Sequence, residues 1–251
     1  MKEYARKSYA DMTAPRIAIF SDNTGWHEER LLDAFAARGA DACVVSLQAC
    51  RIGTVGTIDG IAIPGYEQRL PDAAFVRAIP DGSFEEVTFR LDILHALHES
   101  GVLVHNPARA IERTVDKAMT TVHLARAGIA TPETWVCESR EEAAQIAAAE
   151  IAAGRPLVYK PLFGNCGRGL VFVDDPDRLP DTELAEGVYY LQRYIRQPAG
   201  GGRDWRIFVI RGHAIAAMER VSQNWITNRA RGGECLPAVL TDDLRALAPM
   251  K

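Results

Sequence analysis

Apolar residues fall along this chain in two rhythms. In the first hundred residues, short apolar runs alternate with segments of helical period. RIAIF (16–20), ACVVSL (42–47), IDGIAIPG (58–65) and VLVHN (102–106) predict strands. Between them, WHEERLLDAFAARG (26–39) brings Leu31, Leu32 and Phe35 to one helical face and stops at Gly39. SFEEVTFRLDILHALHESG (83–101) predicts a second helix, with Ser83 and Glu86 as a capping box and Gly101 as its end. Phe89, Ile93, Leu94 and Leu97 line one face of it, and that stripe is expected in the core. Pro107 suits the start of another helix, and 114–128 reads as a helical stretch. Such alternation predicts an open α/β sheet.

Beyond residue 130 strands dominate. TPETWVCES (131–139) contains one, and Ser139 with Glu142 caps an alanine-rich helix that ends near Gly154. PLVYK and GLVFVDD form a hairpin-like pair around a glycine-rich loop. GVYYLQRYI (187–195), DWRIFVIRG (204–212) and HAIAAMERV (213–221) predict three more strands, the last two joined by a tight turn at Arg211-Gly212-His213. Thr241 reads as the N-cap of a final helix with Leu244 and Leu247 as its first apolar positions. The fold class is therefore α/β at the start and α+β overall, with an antiparallel second half.

Composition narrows the function. The chain has 251 residues, 47% apolar and 25% charged, as soluble globular proteins do. A formal charge of −4 argues against a nucleic-acid footprint. Five scattered cysteines, none in a C-x-x-C pair, read as reduced thiols of a cytoplasmic protein. No secretory signal is evident, and the apolar runs are strand-sized, too short for a membrane span.

The chemistry concentrates in YKPLFGNCGRGLVFVDD (159–175). Three glycines between residues 164 and 169 cost conformational entropy on ordering. A backbone that must approach a ligand closely gives that cost a purpose, and exposed N–H groups there can cradle phosphate oxygens. Lys160, at the end of the preceding strand, adds a point positive charge. A strand follows the loop, so this is not the strand–loop–helix phosphate motif.

Plainer readings stand beside these. The loop is also compatible with an ordinary hairpin tip, and Lys117 with a solvated surface lysine. Arg206 and Arg220 fit outward-facing strand positions, and Gln192 and Tyr194 fit ordinary strand residues. His95 and His98 share a helix face at i, i+3 but lack a third metal ligand, and Cys166 has no neighbouring base in sequence.

From about residue 77 to 247 the chain resembles the ATP-grasp ligases, specifically the RimK-like branch that joins glutamate to an acceptor carboxylate. The resemblance rests on the order of VRAIPDGSFEEVTFRLDILHALHESGVLVHNP, TVDKAMTTVHLARAGIATPET, PLVYKPLFGNCGRGLVFV, YYLQRYI, RDWRIFVI, AAMERV and NRARGG. The first of these looks most like the ligases that add glutamate to tetrahydromethanopterin-type pterins. Residues 1–15 read as a disordered lead-in, and the resemblance implies an ATP-grasp fold: an N-terminal pre-ATP-grasp domain at 16–110, a small lid at 111–190, and an incomplete C-terminal half at 191–251.

It also implies roles. Lys117 and Lys160 would hold the nucleotide phosphates, and the loop with Gly164, Asn165, Gly167 and Gly169 would close over them. The backbone of Gln192, Arg193, Tyr194 and Ile195 would read the adenine edge, with apolar side chains sandwiching the base. Asp204 and Arg206 would sit beside ribose and phosphate. Arg206, Arg220, Asn228 and Arg231 would serve the reacting carboxyl group. Expected substrates are ATP, L-glutamate and a carboxylate acceptor, either a pterin-like cofactor or a peptide, with Mg2+ or Mn2+ as the metal and a homo-oligomer as a possible assembly.

The late aspartate and E-x-N motif that hold magnesium in RimK-like ligases have no match here, so no metal ligand is assigned. The sequence reads as C-terminally truncated by about a fifth of the family fold. Three alternatives stay open: a fragment, a short form that binds nucleotide or acts as a scaffold without catalysis, or substitute metal carboxylates such as Glu219 or Asp204.

Overall fold

A computed structural model describes residues 14–164, 166–197 and 201–246. Asn165, Leu247 and residues 1–13 of the expected lead-in lie outside the described residues. The chain divides into two compact units, the first ending at Glu112.

In the first unit, β1 (Arg16–Phe20) leads through α1 (Trp26–Ala36) to β2 (Asp41–Val45). A small antiparallel pair, β3 (Arg51–Ile52) and β4 (Ile61–Ala62), follows. Then come β5 (Ala73–Val76), α2 (Phe84–Glu99), β6 (Leu103–His105) and the start of α3 (Ala108–Val115). The main sheet is parallel, in the order β2-β1-β5-β6. Its core gathers Ala18, Phe20, Ala74, Leu94, Leu97 and Val104. Parallel sheets bury both faces, which is why RIAIF is a continuous apolar run rather than an alternating one.

Three sequence expectations need correction. IDGIAIPG supplies only β4, outside the main sheet, because Asp59 (φ 50°) and Gly60 (φ 82°) turn the chain in the middle of the run. The place beside β1 goes to β5, whose Ala73-Ala74-Phe75-Val76 is too short and too small to register as an apolar run. Phe89 is 41% exposed, whereas Ile93, Leu94 and Leu97 are fully buried. The buried arc of α2 instead includes Arg90, whose Nη1 donates to the carbonyls of Pro80 and Asp81. Finally, the stretch 114–128 is broken at Asp116, which caps α4 (Lys117–Arg126) by accepting from the N–H groups of Ala118 and Met119.

The second unit holds two antiparallel sheets. One contains β7 (Thr134–Cys137), β8 (Leu157–Lys160), β9 (Val171–Val173) and β10 (Tyr189–Arg193), in the order β7-β10-β8-β9. α5 (Arg140–Ala152), capped by Ser139, packs on one face. Register fixes which side chains face it. Leu157, Tyr159, Val173, Tyr189 and Leu191 join Ala143 and Ala147 of α5 in the core. Thr134, Lys160, Tyr190 and Gln192 therefore share the opposite face.

The other sheet contains β11 (Gly202–Ile210), β12 (His213–Ser222) and β13 (Glu234–Ala238), followed by α6 (Asp242–Ala246). Arg211 (φ 52°) and Gly212 (φ 77°) make the two-residue turn expected between β11 and β12. β13 has no apolar alternation and contains Pro237, which suits its edge position and hid it from a pattern reading. Among the described residues, no helix is long and apolar enough to cross a membrane.

The two faces of α2 give a stability contrast. Leu94→Ala is expected to cost about 2–5 kcal/mol by leaving a cavity. Phe89→Ala, at the rim, is expected to cost less than about 1 kcal/mol. Urea unfolding midpoints of the two variants check this, and a larger loss for Phe89→Ala would contradict the packing described.

Candidate functional site

Three elements converge on the glycine-rich loop. β8 delivers Lys160 at its end, β9 receives the chain after the loop, and α4 brings Lys117 as its first residue. Lys117 Nζ donates to the carbonyls of Leu162 (3.1 Å) and Gly164 (2.8 Å), tying the base of the loop. Lys160 Nζ donates to Gln192 Oε1 at 2.5 Å and lies 5.9 Å from the centre of the Tyr190 ring. These are all neutral partners, so each ammonium is solvated without being neutralised.

That arrangement is costly in the absence of an anion. Burial lowers the Lys160 ammonium below the ordinary lysine range. Burial also lowers Lys117, the positive charge of Lys160 lowers it further, and Asp116 partly opposes the shift. Two half-buried cations close enough to repel one another mark a place where a polyanion gains free energy.

The loop needs its glycines at two positions. A Cβ on Gly167 (φ 73°) would lie 2.7 Å from Asn228 Oδ1, and one on Gly169 (φ 68°) would lie 2.6 Å from Pro161 Cγ. Gly164 sits over Lys117, its notional Cβ 3.7 Å from Nζ. The loop tip thus rests on the segment after β12. Trp225 of that segment meets Phe172 of β9 and Tyr194, all three ring pairs having centroids 5.0–6.1 Å apart.

The second sheet carries an ionic cluster. Arg220 donates from Nη2 to Asp204 Oδ2 at 2.6 Å and from Nε to both carboxylate oxygens. Arg206 Nε lies 3.3 Å from Asp204 Oδ1, and the Thr227 hydroxyl bonds Asp204 Oδ2. Burial pushes the Asp204 carboxyl up, but hydrogen bonds from Arg220 and Thr227 and the charges of Arg220 and Arg206 outweigh it and hold the group below its usual range. Thr227 precedes Asn228, so this cluster and the glycine loop share one connecting segment.

The side chains of the remaining candidates are engaged as follows. The Arg193 guanidinium lies on the α5 face of its sheet, bonded to the buried Glu150 at 2.8 Å (Nη2) and to Glu133 at 2.6 Å (Nη1). Its backbone N–H donates to Glu133 and that of Tyr194 to Pro156. Ile195 is 56% exposed. Arg231 lines a cleft of about 630 Å³ with Arg203 and Glu234, two residues on the sheet face opposite Asp204 and Arg220. His95 Nε2 is 2.6 Å from Glu112 Oε1. Sequence reasoning did not single out Thr121, Thr134, Tyr190, Trp225 or Thr227. Only the i, i+2 placement of Tyr190 and Gln192 hinted that their side chains share a face.

A metal would need oxygen ligands, and the two carboxylates considered for it are engaged. Asp204 holds two arginines, and Glu219 lies 2.8 Å from Arg203 Nε. Among the described residues no three His, Cys, Asp or Glu side chains form a group that could hold a metal ion. The described donors do not fit a magnesium site.

The depressed Asp204 carboxyl sets a pH dependence. Its contribution to stability is present above the unfolded carboxylate value of about 3.9 and is lost as pH falls through the lower folded value. The stability gap between the native protein and Asp204→Asn should therefore be widest near neutrality and shrink below about pH 4. Urea melts at a series of pH values check this, and a gap that widens in acid would contradict it.

Comparison with known proteins identifies the family. A RimK-like ATP-grasp domain matches residues 114–250, and a RimK PreATP-grasp domain matches residues 16–111. The chain is 36% identical over 195 residues to the tetrahydromethanopterin:alpha-L-glutamate ligase of Methanosarcina acetivorans, an alignment that takes in 70% of this chain and 58% of that protein. It thus spans less than two thirds of that relative's length. It is 30% identical over 244 residues to a probable alpha-L-glutamate ligase of Thioalkalivibrio sulfidiphilus, covering 93% of this chain and 77% of that one. Among solved structures, the RimK domain protein ATP-grasp from Sphaerobacter thermophilus superposes with a TM-score of 0.64 at 26% identity, over 93% of this chain and 79% of that one. The ATP-grasp ligase PsnB, complexed with minimal precursor, Mg and ADP, superposes with a TM-score of 0.58 at 20% identity, over 91% and 77%. The chain belongs to the RimK-like ATP-grasp family.

Proposed function

We propose that the second unit binds ATP and that the chain serves an ATP-dependent carboxylate–amine ligation, with L-glutamate as the amine. One observation carries this reading: Lys117 and Lys160 are half-buried beneath a glycine-rich loop and, among the described residues, their ammonium groups hydrogen-bond to neutral oxygens. Phosphate oxygens would replace the loop carbonyls at Lys117 and add to the amide at Lys160. Gly164, Gly167 and Gly169 let the loop backbone approach them, and Asn165 belongs to the same loop in sequence. The segment Gln192–Ile195 takes the adenine edge, with Tyr194 beside Phe172 and Trp225 as apolar surface for the base.

In such a ligation ATP phosphorylates a carboxylate, an amine attacks the acyl phosphate, and phosphate leaves. Negative charge builds at each stage, and fixed cationic donors stabilise it. Arg220 and Arg206, aligned by Asp204, are the donors the second sheet supplies, with Asn228 under the loop tip. Arg231, in the cleft with Arg203 and Glu234 on the other sheet face, is assigned no contact with that carboxyl group. The acceptor is a pterin-like cofactor, in keeping with the tetrahydromethanopterin ligase of Methanosarcina acetivorans, or a peptide carboxylate, in keeping with the precursor complexed with PsnB. Mg2+ accompanies ADP in the PsnB complex of this fold.

Calorimetric titration with ATP tests the reading. Removing either charged donor, as Lys160→Ala or Lys117→Ala, should weaken binding about 10–150-fold, the worth of one charge-assisted hydrogen bond. Unaltered affinity in both variants would sink the proposal. ADP release that depends on added glutamate, acceptor and magnesium would establish ligation, whereas binding without turnover would assign a nucleotide-binding or scaffold role.

A further inference from the structure

Five side chains, Thr121 of α4 with Thr134, Lys160, Tyr190 and Gln192 on the sheet face opposite α5, form a chain of hydrogen bonds whose direction follows from its fixed end points. It starts at the carbonyl of Lys117, an obligate acceptor, to which Thr121 Oγ1 donates at 2.9 Å. The Thr121 hydrogen is thereby used. Thr121 and the Tyr190 hydroxyl are 2.7 Å apart, so Tyr190 must be the donor of that pair. Tyr190 OH is then left as an acceptor, and Gln192 Nε2 donates to it at 3.1 Å. The second hydrogen of Nε2 goes to Thr134 Oγ1 at 2.9 Å, whose own hydrogen is spent on the carbonyl of Pro132. With its amide nitrogen held by two acceptors, Gln192 can only present Oε1 to the Lys160 ammonium, 2.5 Å away.

We infer that Thr121 and Tyr190 are positioning residues that act through Gln192, orienting its amide so that Lys160 is held in place with its full charge and in register with Lys117. The inference deepens the proposed ATP-binding reading and rests on it for its functional meaning. Gln192 suits the task because an amide oxygen solvates the ammonium without cancelling its charge, as a carboxylate would. The anchor at the Lys117 carbonyl makes α4 and the strand pair β8–β10 a single frame for both lysines. Tyr190 is only 3% exposed, so its hydroxyl has little water to fall back on when a partner is lost.

Tyr190→Phe and Thr121→Val each cut the chain. Each should weaken ATP binding about 3–10-fold, the worth of a hydrogen bond between neutral groups. Thr121→Ser, which keeps the hydroxyl, should bind within about twofold of the native protein. Because both cuts break one chain, the double variant Tyr190→Phe/Thr121→Val should be no more than about twofold weaker than the worse single variant. Additive losses, or no rescue by serine, would overturn the inference in favour of simple packing.

A second measurement needs no nucleotide. Acylation of Lys160 by an amine-selective ester, mapped by mass spectrometry, should quicken about threefold or more in Tyr190→Phe as the amine is released from its oriented acceptor. An unchanged rate overturns the relay even if the native protein binds ATP. If the native protein fails to bind ATP, the proposed function falls, and the labelling result still decides the relay.

Discussion

Two half-buried ammonium groups whose hydrogen bonds, among the described residues, go to neutral oxygens are the constraint around which the second unit is organised. A buried cation ordinarily brings a carboxylate with it, because the cost of desolvation is otherwise unreturned. Here Lys160 has an amide and Lys117 has two carbonyls. The surroundings must therefore be rigid enough to hold the charges without neutralising them. The β7-β10-β8-β9 sheet supplies that rigidity from its other face, where Leu157, Tyr159, Tyr189 and Leu191 pack against α5.

Elsewhere in the same unit several arginines are matched with carboxylates. Glu150, itself buried, takes Arg155 and Arg193, and the Arg155 hydrogen bond is the main reason its carboxyl lies below the usual range. Asp204 takes Arg220 and Arg206. The contrast separates two uses of positive charge. Arginine forks lock strands and helices together through carboxylates, while the lysines keep their charge available beneath the glycine loop.

Much of this was legible in the chain itself. The capping residues Ser83, Asp116 and Ser139 act through their side chains on the next turn, so their role depends on local sequence alone. Ser83 and Ser139 stand at visible breaks in the pattern, whereas Asp116 is hidden because a helical pattern continues on both sides of it. The antiparallel pairing of β8 with β9 and the tight turn at Arg211–Gly212 follow from glycine placement and strand period. Phe89 was misjudged because a helix face spans an arc, and a stripe read at fixed spacing cannot say where the arc's edge falls.

The order of apolar runs, caps and glycines determined the α/β character of the first unit, though not the place of β5, together with the antiparallel second half and the loop between β8 and β9. Those features arise from contacts within a few residues or from the period-two face of a strand. Only the tertiary structure decided that Gln192 meets Lys160, that Tyr190 reaches Thr121, and that Arg193 turns to Glu150 instead. The partners in these pairs lie 32, 69 and 43 residues apart. Strand register and sheet order set such distances, and neither is encoded by the spacing of residues along one strand.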